Sequence, residues 1–527
     1  MSQTIENKID HTQIPEYVTQ VTETLTKGGY EAHLVGGCVR DLLMGRTSKD
    51  WDVTTNATPE QIQGLFEKTV YENTYGTVGV CVPRLPAKAL ATAGETVSHE
   101  TETSPKYDIV EVTPYRIESE YSDNRHPDEV KFSDNLEDDL KRRDFTVNAL
   151  AYSPVIASAK EDDSIKDIFV DLYKGQQDIK DKIIRTVGDA SDRLKEDALR
   201  MLRAVRFACQ LSFVISHETM EAIIQHADLL KHISAERIRD EFEKIIMSPD
   251  PMIGIGMLAK FGLLKHIIPE LEEGIGCEQK GEHIYDVFEH ILHALGHAAE
   301  KNLPLHIRLS ALFHDIGKPR TRRWDGTKAG GKGKYTFYGH EVVGARMTEK
   351  IMQRLKFPKD LTEKVVKLVR YHMFFSDTET ITLSAVRRTI VNVGRENIWD
   401  LMNVRECDRV GMKKKEAPYR LRKYHAMIEE ALRAPTTVSM LKINGEVLMK
   451  ELEIKPGPRM GWMLHALLEE CLEDDTKNNL EYLKIRALEL DKLTDKELHD
   501  LGEKGKEKKE EVEEQEIEEL RKKHGVK

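Results

Sequence analysis

The sequence lacks several features that would assign it to a familiar class of protein. Its 527 residues contain only six cysteines, and no two of them form a C-x-x-C pair. Scattered cysteines of this kind favour reduced, mostly buried thiols over disulfides or a zinc ribbon. No apolar run of about 18 residues is present, and the N-terminal MSQTIENKIDHTQIPEY has no signal-peptide pattern. We therefore expect a cytoplasmic protein that neither crosses a membrane nor is secreted.

An excess of basic charge is also missing. The formal net charge is −12, which argues against a protein that coats nucleic acid without specificity, although a net value hides local patches. One basic patch contains Lys413, Lys414, Lys415 and Arg420, with Tyr419 interleaved. We expect this patch to contact an RNA phosphate backbone, and the alternative is a solvated helix end.

The most informative stretch that is present is HLVGGCVRDLLMGRTSKDWDVTTNA, which begins at His33. A short apolar run ends at Gly36 and Gly37, and residues of helical character follow. Backbone N–H groups and a helix N-terminus at such a turn can face phosphate oxygens. Arg40 lies one turn into the helix and suits the same phosphates.

Two aspartates follow that turn. Asp50 and Asp52 flank Trp51 in a segment that continues as a strand, and strand alternation predicts both carboxylates on one face. Paired carboxylates favour Mg²⁺, and a two-metal site can clamp the attacking and leaving oxygens of a displacement at phosphorus. The alternative is a glycine turn followed by an exposed acidic loop.

The stretch LVGGCVRDLLMGRTSKDWDVTTNATPEQI resembles the head of the class II nucleotidyltransferases, the family of bacterial tRNA CCA-adding enzymes and poly(A) polymerases. Further segments match the same family in the same order: YDIVEVTPYR, YSDNRHPDEVKFSDNLEDDLKRRDFTVNALAY, GDASDRLKEDALRMLRAVRFACQLSF and SAERIRDEF. The resemblance covers residues 30 to 245. It implies that Asp50 and Asp52 bind catalytic Mg²⁺ and that Arg143 contacts the nucleotide triphosphate.

The segment KEDALRMLRAVRF predicts a helix on which polar side chains recur every three residues. The resemblance implies that Asp197 and Arg200 form a protein template that hydrogen-bonds the edge of the incoming base. It also implies that Arg203 and Arg206 lie close to the nucleotide. The alternative for the whole stripe is a solvated face with salt bridges along the helix.

A third acidic group near the metals is also expected. Glu111 lies on a predicted strand, DIVEVTPYR, and shares a face with Ile109 and Thr113. Asp144 is the competing candidate for this role. A surface carboxylate without a catalytic role is the alternative for Glu111.

A second set of polar residues extends over the later half of the chain. Imidazoles and carboxylates on separate helices make a divalent-metal site, and the phrase FHDIGKP resembles the HD phosphohydrolase domain. The predicted ligands are His290, His314, Asp315, His340 and Asp408, with His372 as a further candidate. Taken singly, each histidine is also explained by a core or surface role.

These expectations define an α+β protein with a polymerase-beta-like nucleotidyltransferase head, in which helices accompany a mixed sheet. A mostly α-helical neck, body and HD-containing tail follow the head. The predicted divisions are a head at 1–155, a nucleotide-selecting neck and RNA-binding body at 156–275, an HD domain at 276–410, RNA-handling helices at 411–502 and a charged tail at 503–527.

The function that the resemblance implies is Mg²⁺-dependent, template-independent addition of CCA to the 3′ end of tRNA from CTP and ATP. Three related activities remain open: poly(A) synthesis, CC-only addition and A-only addition. The arginine-rich phrase GRRFR, which we associate with poly(A) polymerases, does not follow the first motif. A metal-dependent phosphohydrolase working through the HD site is a further alternative, and an RNA-binding module without catalysis is another.

Overall fold

A computed structural model describes most of the chain. The described residues are 9–71, 76–84, 107–118, 130–153, 167–279, 284–325, 334–373, 383–410, 418–432, 441–473 and 475–503. The chain forms two compact units. The first comprises residues 1–279 and 285–365, and the second comprises residues 280–284 and 366–527.

The first unit begins with a seven-stranded mixed sheet. Its strands are β1 (His33–Val35), β2 (Asp52–Thr55), β3 (Thr69–Tyr71), β4 (Val78–Pro83), β5 (Tyr107–Pro114), β8 (Leu150–Ser153) and β9 (Ile168–Asp171), in the order β3-β4-β5-β2-β1-β8-β9. Three two-stranded sheets accompany it: β6 (Arg116–Glu118) with β7 (Val130–Phe132), β10 (Ile183–Ile184) with β11 (Val214–Ile215), and β12 (Arg323–Asp325) with β13 (Lys334–Thr336).

One pair of strands in the large sheet is parallel. Strands β2 and β5 run in the same direction with Asp52 opposite Glu111 and Val53 opposite Val112. The remaining neighbours in this sheet pair antiparallel. Because side chains alternate along a strand, the two valines face one side of the sheet and the two acidic residues face the other.

The valine side of the sheet carries the core of the head. Helices α1 (Glu16–Lys27) and α3 (Pro59–Leu65) contribute buried apolar side chains to it, among them Val21, Leu25 and Ile62. Helix α3 begins sharply because the Thr58 and Gln61 side chains each bond the backbone of the other and proline follows at the first helical position. The side of the sheet that carries Asp52 and Glu111 lies opposite this core and is available for a polar site.

Helices make up most of the rest of the first unit. They are α2 (Gly37–Leu43), α4 (Leu136–Lys141), α5 (Gly175–Asp181), α6 (Ala190–Glu196), α7 (Leu199–Leu211), α8 (His217–His226), α9 (Ala235–Ile246), α10 (Pro251–Lys260), α11 (Leu264–Ile267), α12 (Pro269–Glu272), α13 (Val287–Glu300), α14 (Leu305–Phe313), α15 (Lys318–Thr321) and α16 (His340–Arg354). Helix α17 (Lys359–Tyr371) begins in the first unit and ends in the second.

The second unit contains α18 (Leu383–Val393), α19 (Ile398–Asp408), α20 (Pro418–Leu432), α21 (Gly445–Lys450), α22 (Pro458–Glu473) and α23 (Leu480–Leu490). Its last three helices share a hydrophobic core that includes Leu448, Leu467 and Leu483. The α+β prediction, with a mixed sheet in the head and helices after it, is confirmed. Within the described ranges, no helix has the length and apolar character needed to span a membrane.

Candidate functional site

The paired glycines form a tight turn between β1 and α2. Gly36 has a φ of 81°, a conformation that L side chains rarely adopt, and its N–H donates to the carbonyl of Leu150 at 3.2 Å. A Cβ placed on Gly36 would lie 3.0 Å from Nη1 of Arg143 and 3.6 Å from Oδ2 of Asp52. The turn, the arginine and the aspartate therefore converge on one small space.

The two aspartates of the first motif are held differently. Strand β2 begins at Asp52, whereas Asp50 precedes the strand and is exposed. The strand itself therefore includes only Asp52, and the predicted shared face of the two carboxylates stays a prediction. Trp51, which lies between them in the sequence, is buried, and strand β2 begins at the next residue. Burial raises the pKa of Asp52, the charge of Asp50 adds to this, and Arg143 opposes it.

Glu111 lies beside Asp52 in the sheet. The parallel register of β2 and β5 aligns their Cα atoms, so both side chains point to the same face. Glu111 is exposed. This position is compatible with the predicted third acidic group, and its role stays a prediction.

Arg143 is fixed by a carboxylate on the preceding helix. Asp139 on α4 is fully buried, and its Oδ2 accepts from Nε and Nη2 of Arg143 at 3.3 and 3.0 Å. Oδ1 of the same residue accepts from Nε of Arg142 at 2.9 Å. Burial by itself would raise the pKa of Asp139, but the two guanidinium charges hold that pKa below its usual range.

Asp144, the competitor for the third acidic role, is an ion-pair partner in this structure. Its Oδ2 accepts from Nε of Arg203 at 2.7 Å, and its Oδ1 accepts from Asn148 at 3.2 Å. Burial opposes ionisation, but Arg203 and these hydrogen bonds lower the pKa of Asp144 to about 2. Asn148 in turn accepts from Nη1 of Arg40 at 2.6 Å, and Arg40 also pairs with Asp41. Arg40 and Arg203 are thus joined through two polar side chains.

The helix predicted for KEDALRMLRAVRF is interrupted. Helix α6 ends at Glu196 and α7 begins at Leu199, with Asp197 in an extended conformation between them. The break has a local cause, because Oδ1 of Asp197 accepts from the backbone N–H of Leu199 at 3.0 Å and so competes with a continuous helix. The prediction of a single helix is therefore wrong at this point.

The predicted template residues lie on either side of this break. Oδ2 of Asp197 accepts from Arg237 of α9 at 2.8 Å. Arg200, at the start of α7, donates to Glu196 and to the carbonyl of Arg193. Both groups are held in place by protein partners, as a template that presents fixed donors and acceptors requires.

Arg206 faces a different neighbour from Arg203. Its Nη1 donates to Oε1 of Glu241 on α9 at 2.9 Å, and both residues are buried. Burial lowers the pKa of Arg206 to about 10, and Glu241 opposes this shift. Its guanidinium also lies 4.2 Å from the ring centre of Phe207. In this structure Arg206 ties α7 to α9, and a contact with nucleotide stays a prediction.

A second polar cluster lies among the helices of the first unit. Nε2 of His290 and of His314 lie 3.4 and 3.2 Å from Oδ2 of Asp315, and Nε2 of His340 lies 3.3 Å from Oδ1. Nζ of Lys318 is 2.5 Å from the same carboxylate. All five side chains are buried, and Lys318 together with hydrogen bonds from His314 and His340 holds the pKa of Asp315 well below its usual value despite its burial.

Two of these imidazoles are oriented by backbone carbonyls. Nδ1 of His314 lies 2.8 Å from the carbonyl of Ala311, and Nδ1 of His340 lies 2.7 Å from that of Phe337. A ring that donates through Nδ1 turns Nε2 into the ligand atom, which is the usual arrangement at metal sites. The close approach of α15 and α16 depends on Gly317, where a Cβ would meet the carbonyl of His340 at 2.3 Å. The donor set suits a divalent transition metal.

Comparison with known proteins decides the family. The family model described as Poly A polymerase head domain matches residues 32–185, the Probable RNA and SrmB- binding site of polymerase A matches residues 212–275, and the HD domain matches residues 287–416. The A-adding tRNA nucleotidyltransferase of Deinococcus radiodurans is 33% identical over 453 residues, which cover 83% of this chain and 91% of that protein. The chain belongs to the tRNA nucleotidyltransferase family.

Another member of the tRNA nucleotidyltransferase family matches in sequence over a shorter stretch, and a solved structure matches over most of the chain. The CCA-adding enzyme of Geobacillus kaustophilus is 39% identical over 253 residues, or 48% of this chain, and the alignment spans only 54% of that enzyme. The crystal structure of the Bacillus stearothermophilus CCA-adding enzyme in complex with CTP has a TM-score of 0.56 at 25% identity. The structural match covers 90% of this chain and 98% of the chain in that crystal structure.

Several predicted residues of this nucleotidyltransferase belong to the second unit or lie outside the described residues. Asp408 ends α19 in the second unit, where Arg405 lies 3.2 Å from its carboxylate, and His372 also belongs to that unit. Their place in a metal site with the other histidines stays a prediction. Lys413, Lys414 and Lys415 lie outside the described residues, and of Arg420 the structure gives only its place in α20.

Sequence reasoning missed several side chains that hold this site together: Asp139, Asn148, Glu196, Arg237 and Glu241. Spacing could have identified some of them. Asp139 precedes Arg142 by three residues and Arg143 by four, and Glu196 precedes Arg200 by four, which are the spacings at which helix side chains meet. Arg237 and Glu241 have no such spacing, because their partners, Asp197 and Arg206, lie 40 and 35 residues away in the sequence.

Proposed function

We propose that this tRNA nucleotidyltransferase adds CCA to the 3′ end of tRNA, using CTP and ATP without a nucleic-acid template. The observation that carries the proposal is the convergence of the Gly36 turn, Asp52 and Arg143 in a chain of this family. The names of the relatives agree with it, because they include CCA-adding enzymes and a structure in complex with CTP.

In this proposal Asp50 and Asp52 hold Mg²⁺, with Glu111 as the third acidic group. Bound Mg²⁺ would neutralise charge that develops on the attacking and leaving oxygens. Gly36 and Gly37 allow the triphosphate to approach the backbone closely, and Arg143 supplies a fixed positive charge beside the turn.

Arg40 supplies a second positive charge from within α2, where Asp41 and Asn148 hold its guanidinium. Its burial suits a charge that acts on the triphosphate from a fixed position. The 3′-hydroxyl of the RNA attacks the α-phosphorus, its proton is released, and pyrophosphate leaves.

The base is selected by side chains. Asp197 offers carboxylate acceptors and Arg200 offers guanidinium donors, so together they can match the hydrogen-bonding edge of cytosine or adenine. Arg237 and Glu196 hold the two residues at the break between α6 and α7. Arg203 and Arg206 supply positive charge further along α7.

The predicted divisions of the chain stay part of this proposal: a head, a nucleotide-selecting neck with an RNA-binding body, an HD domain and RNA-handling helices. Lys413, Lys414, Lys415 and Arg420 are proposed contacts for the tRNA backbone. His290, His314, Asp315 and His340 are proposed to hold a divalent metal, with Asp408 as a further ligand. A second, phosphohydrolase activity would belong to this cluster.

A second candidate function is addition of the terminal A alone. It is favoured by the Deinococcus radiodurans relative, which is named an A-adding enzyme and aligns with 83% of this chain. An A-adding enzyme would act on tRNA that already ends in CC and would leave shorter ends unchanged.

The deciding experiment offers purified protein three tRNA substrates, which end before CCA, after the first C or after CC. Each is incubated with Mg²⁺ and labelled CTP, ATP or both, and the products are resolved at single-nucleotide steps. Three additions that end in A would support CCA synthesis. Extension of only the CC-ending substrate would identify an A-adding enzyme, and a long ladder with ATP alone would identify a poly(A) polymerase.

A further inference from the structure

A fully buried carboxylate in the head takes no direct part in the proposed reaction. Asp139 lies on the short helix α4, and its side chain has no exposed surface. Its two oxygens are divided between two arginines. Oδ1 accepts from Arg142 and Oδ2 accepts from Arg143.

This arrangement fixes the direction of one guanidinium. Arg143 uses Nε and Nη2 on Asp139, which are the two nitrogens of one edge of the guanidinium. The remaining nitrogen, Nη1, then points to the Gly36 turn, where it lies 3.0 Å from the position of a Cβ on that glycine. Both donors converge on the single oxygen Oδ2, and this pair of hydrogen bonds restricts the rotational freedom that a long arginine side chain otherwise has.

The charges of the group also favour an anionic ligand. One carboxylate balances only one of the two guanidinium charges, so Asp139, Arg142 and Arg143 together carry a net charge of +1. Arg143 presents its part of this charge beside Asp52, whose own carboxylate faces the same space. A triphosphate whose oxygens are shared between a cation at Asp52 and Arg143 fits this pattern of charge.

We propose that Asp139 is a positioning residue for nucleotidyl transfer, which acts by holding Nη1 of Arg143 toward the triphosphate of CTP and ATP alike. This inference rests on the proposed function for the identity of the ligand. The described hydrogen bonds of Asp139 go to Arg142 and Arg143 and not to the side chains of Asp197 or Arg200, so it acts on triphosphate binding and leaves base choice unchanged.

The experiment is a double-mutant cycle with Asp139→Asn, Arg143→Ala and the combined variant. The readouts are KM and kcat for CTP and ATP, and the affinity for inorganic tripolyphosphate measured by calorimetry. We expect Asp139→Asn to raise both KM values and to weaken tripolyphosphate binding by about 10- to 100-fold, as misplacement of a binding group does. The combined variant should be no weaker than Arg143→Ala alone, because Asp139 acts only through that arginine.

Arg142→Gln is the matched control. It removes the other partner of Asp139 and leaves the Arg143 contact, so its KM values should stay close to those of the wild-type protein. If Asp139→Asn does not fold, as judged by thermal unfolding, the cycle is run with Asp139→Glu, which keeps the charge and displaces the guanidinium.

Two results would overturn the proposal. The first is a combined variant whose loss of tripolyphosphate affinity equals the product of the losses in the two single variants. The second is a folded Asp139 variant with wild-type KM values and wild-type tripolyphosphate affinity. Failure of the proposed function is a separate result. A wild-type protein that binds tripolyphosphate but extends no tRNA would reject nucleotidyl transfer, while the tripolyphosphate cycle would still decide the role of Asp139.

Discussion

The two polar clusters of the first unit balance buried carboxylates in different ways. In the head, Asp139 and Asp144 are each paired with arginine, a side chain that keeps its charge at every accessible pH. In the second cluster, Asp315 is surrounded by three histidines and by Lys318. Neutral imidazoles offer lone pairs, so they can take up a cation that guanidinium groups would repel. The first arrangement suits a bound anion, and the second suits a bound metal.

The largest expected effect is on nucleotide incorporation, which should depend on the head cluster and not on the histidine cluster. Asp52→Ala should lower incorporation of both CTP and ATP by at least about a thousandfold, because loss of a metal ligand removes several kcal/mol of transition-state stabilisation. His314→Ala should leave incorporation unchanged and weaken binding of Ni²⁺ or Co²⁺ by about 10- to 100-fold. The measurements are primer-extension rates on tRNA and metal content after equilibrium dialysis.

Each variant in this pair is the control for the other. Asp52→Ala should retain wild-type binding of Ni²⁺, and His314→Ala should retain the wild-type KM for CTP. An Asp52→Ala variant that incorporates CTP and ATP at the wild-type rate would contradict the assignment of nucleotidyl transfer to the head cluster. A His314→Ala variant that binds transition metal as the wild-type protein does would contradict the assignment of metal binding to the histidine cluster.

A smaller effect is expected at the base-selecting position. Asp197→Ala should reduce discrimination against GTP and UTP by about 10- to 100-fold, the usual size of a lost bidentate contact to a base edge. Incorporation of correct nucleotides should fall much less. Asp192→Ala, an exposed acidic residue on α6, is the control. Equal loss of every incorporation with unchanged fidelity would reject the template role of Asp197.

Much of the head was predictable because its signals are local. The glycine pair predicted the turn and the short helix α2, and alternation predicted strand β5. The convergence of His290, His314, Asp315 and His340 followed from the ordered resemblance to the HD domain. Each of these features depends on a pattern within about ten residues or on a match to a known family.

The features that sequence reasoning missed depend on tertiary context. The break at Asp197 needs the side chain to compete for the backbone of Leu199, while Arg237 of α9 holds the other oxygen. A single stretch of sequence with apolar residues on one face does not reveal such competition.

The ion pair between Asp144 and Arg203 predicts a pH dependence of stability. The pKa of Asp144 is lowered to about 2, so the pair stabilises the folded state above the ordinary aspartate range and loses this effect as the pH falls from about 4 to 2. Asp144→Asn should reduce the free energy of unfolding by about 2 kcal/mol at pH 7. The difference from wild type should shrink below pH 4, as measured by urea unfolding of both proteins across that range. A difference that stays constant down to pH 2 would contradict the role of this ion pair.

The smallest expected effect tests whether the Gly36 turn serves the ligand or only the fold. Gly36 and Gly45 both have positive φ, at 81° and 64°, so alanine is strained at either position, and more so at Gly36, whose ψ of −133° lies outside the left-handed helical region. They differ in their surroundings, because a Cβ on Gly36 meets Arg143 and Asp52 whereas a Cβ on Gly45 meets nothing within 4 Å. Gly36→Ala should therefore raise the KM for CTP and ATP by about tenfold beyond any effect of Gly45→Ala, since its Cβ displaces a group that binds the ligand. Equal KM values in the two variants, at equal thermal stability, would mean that Arg143 adapts to the added methyl group and that the turn is needed for the chain path alone.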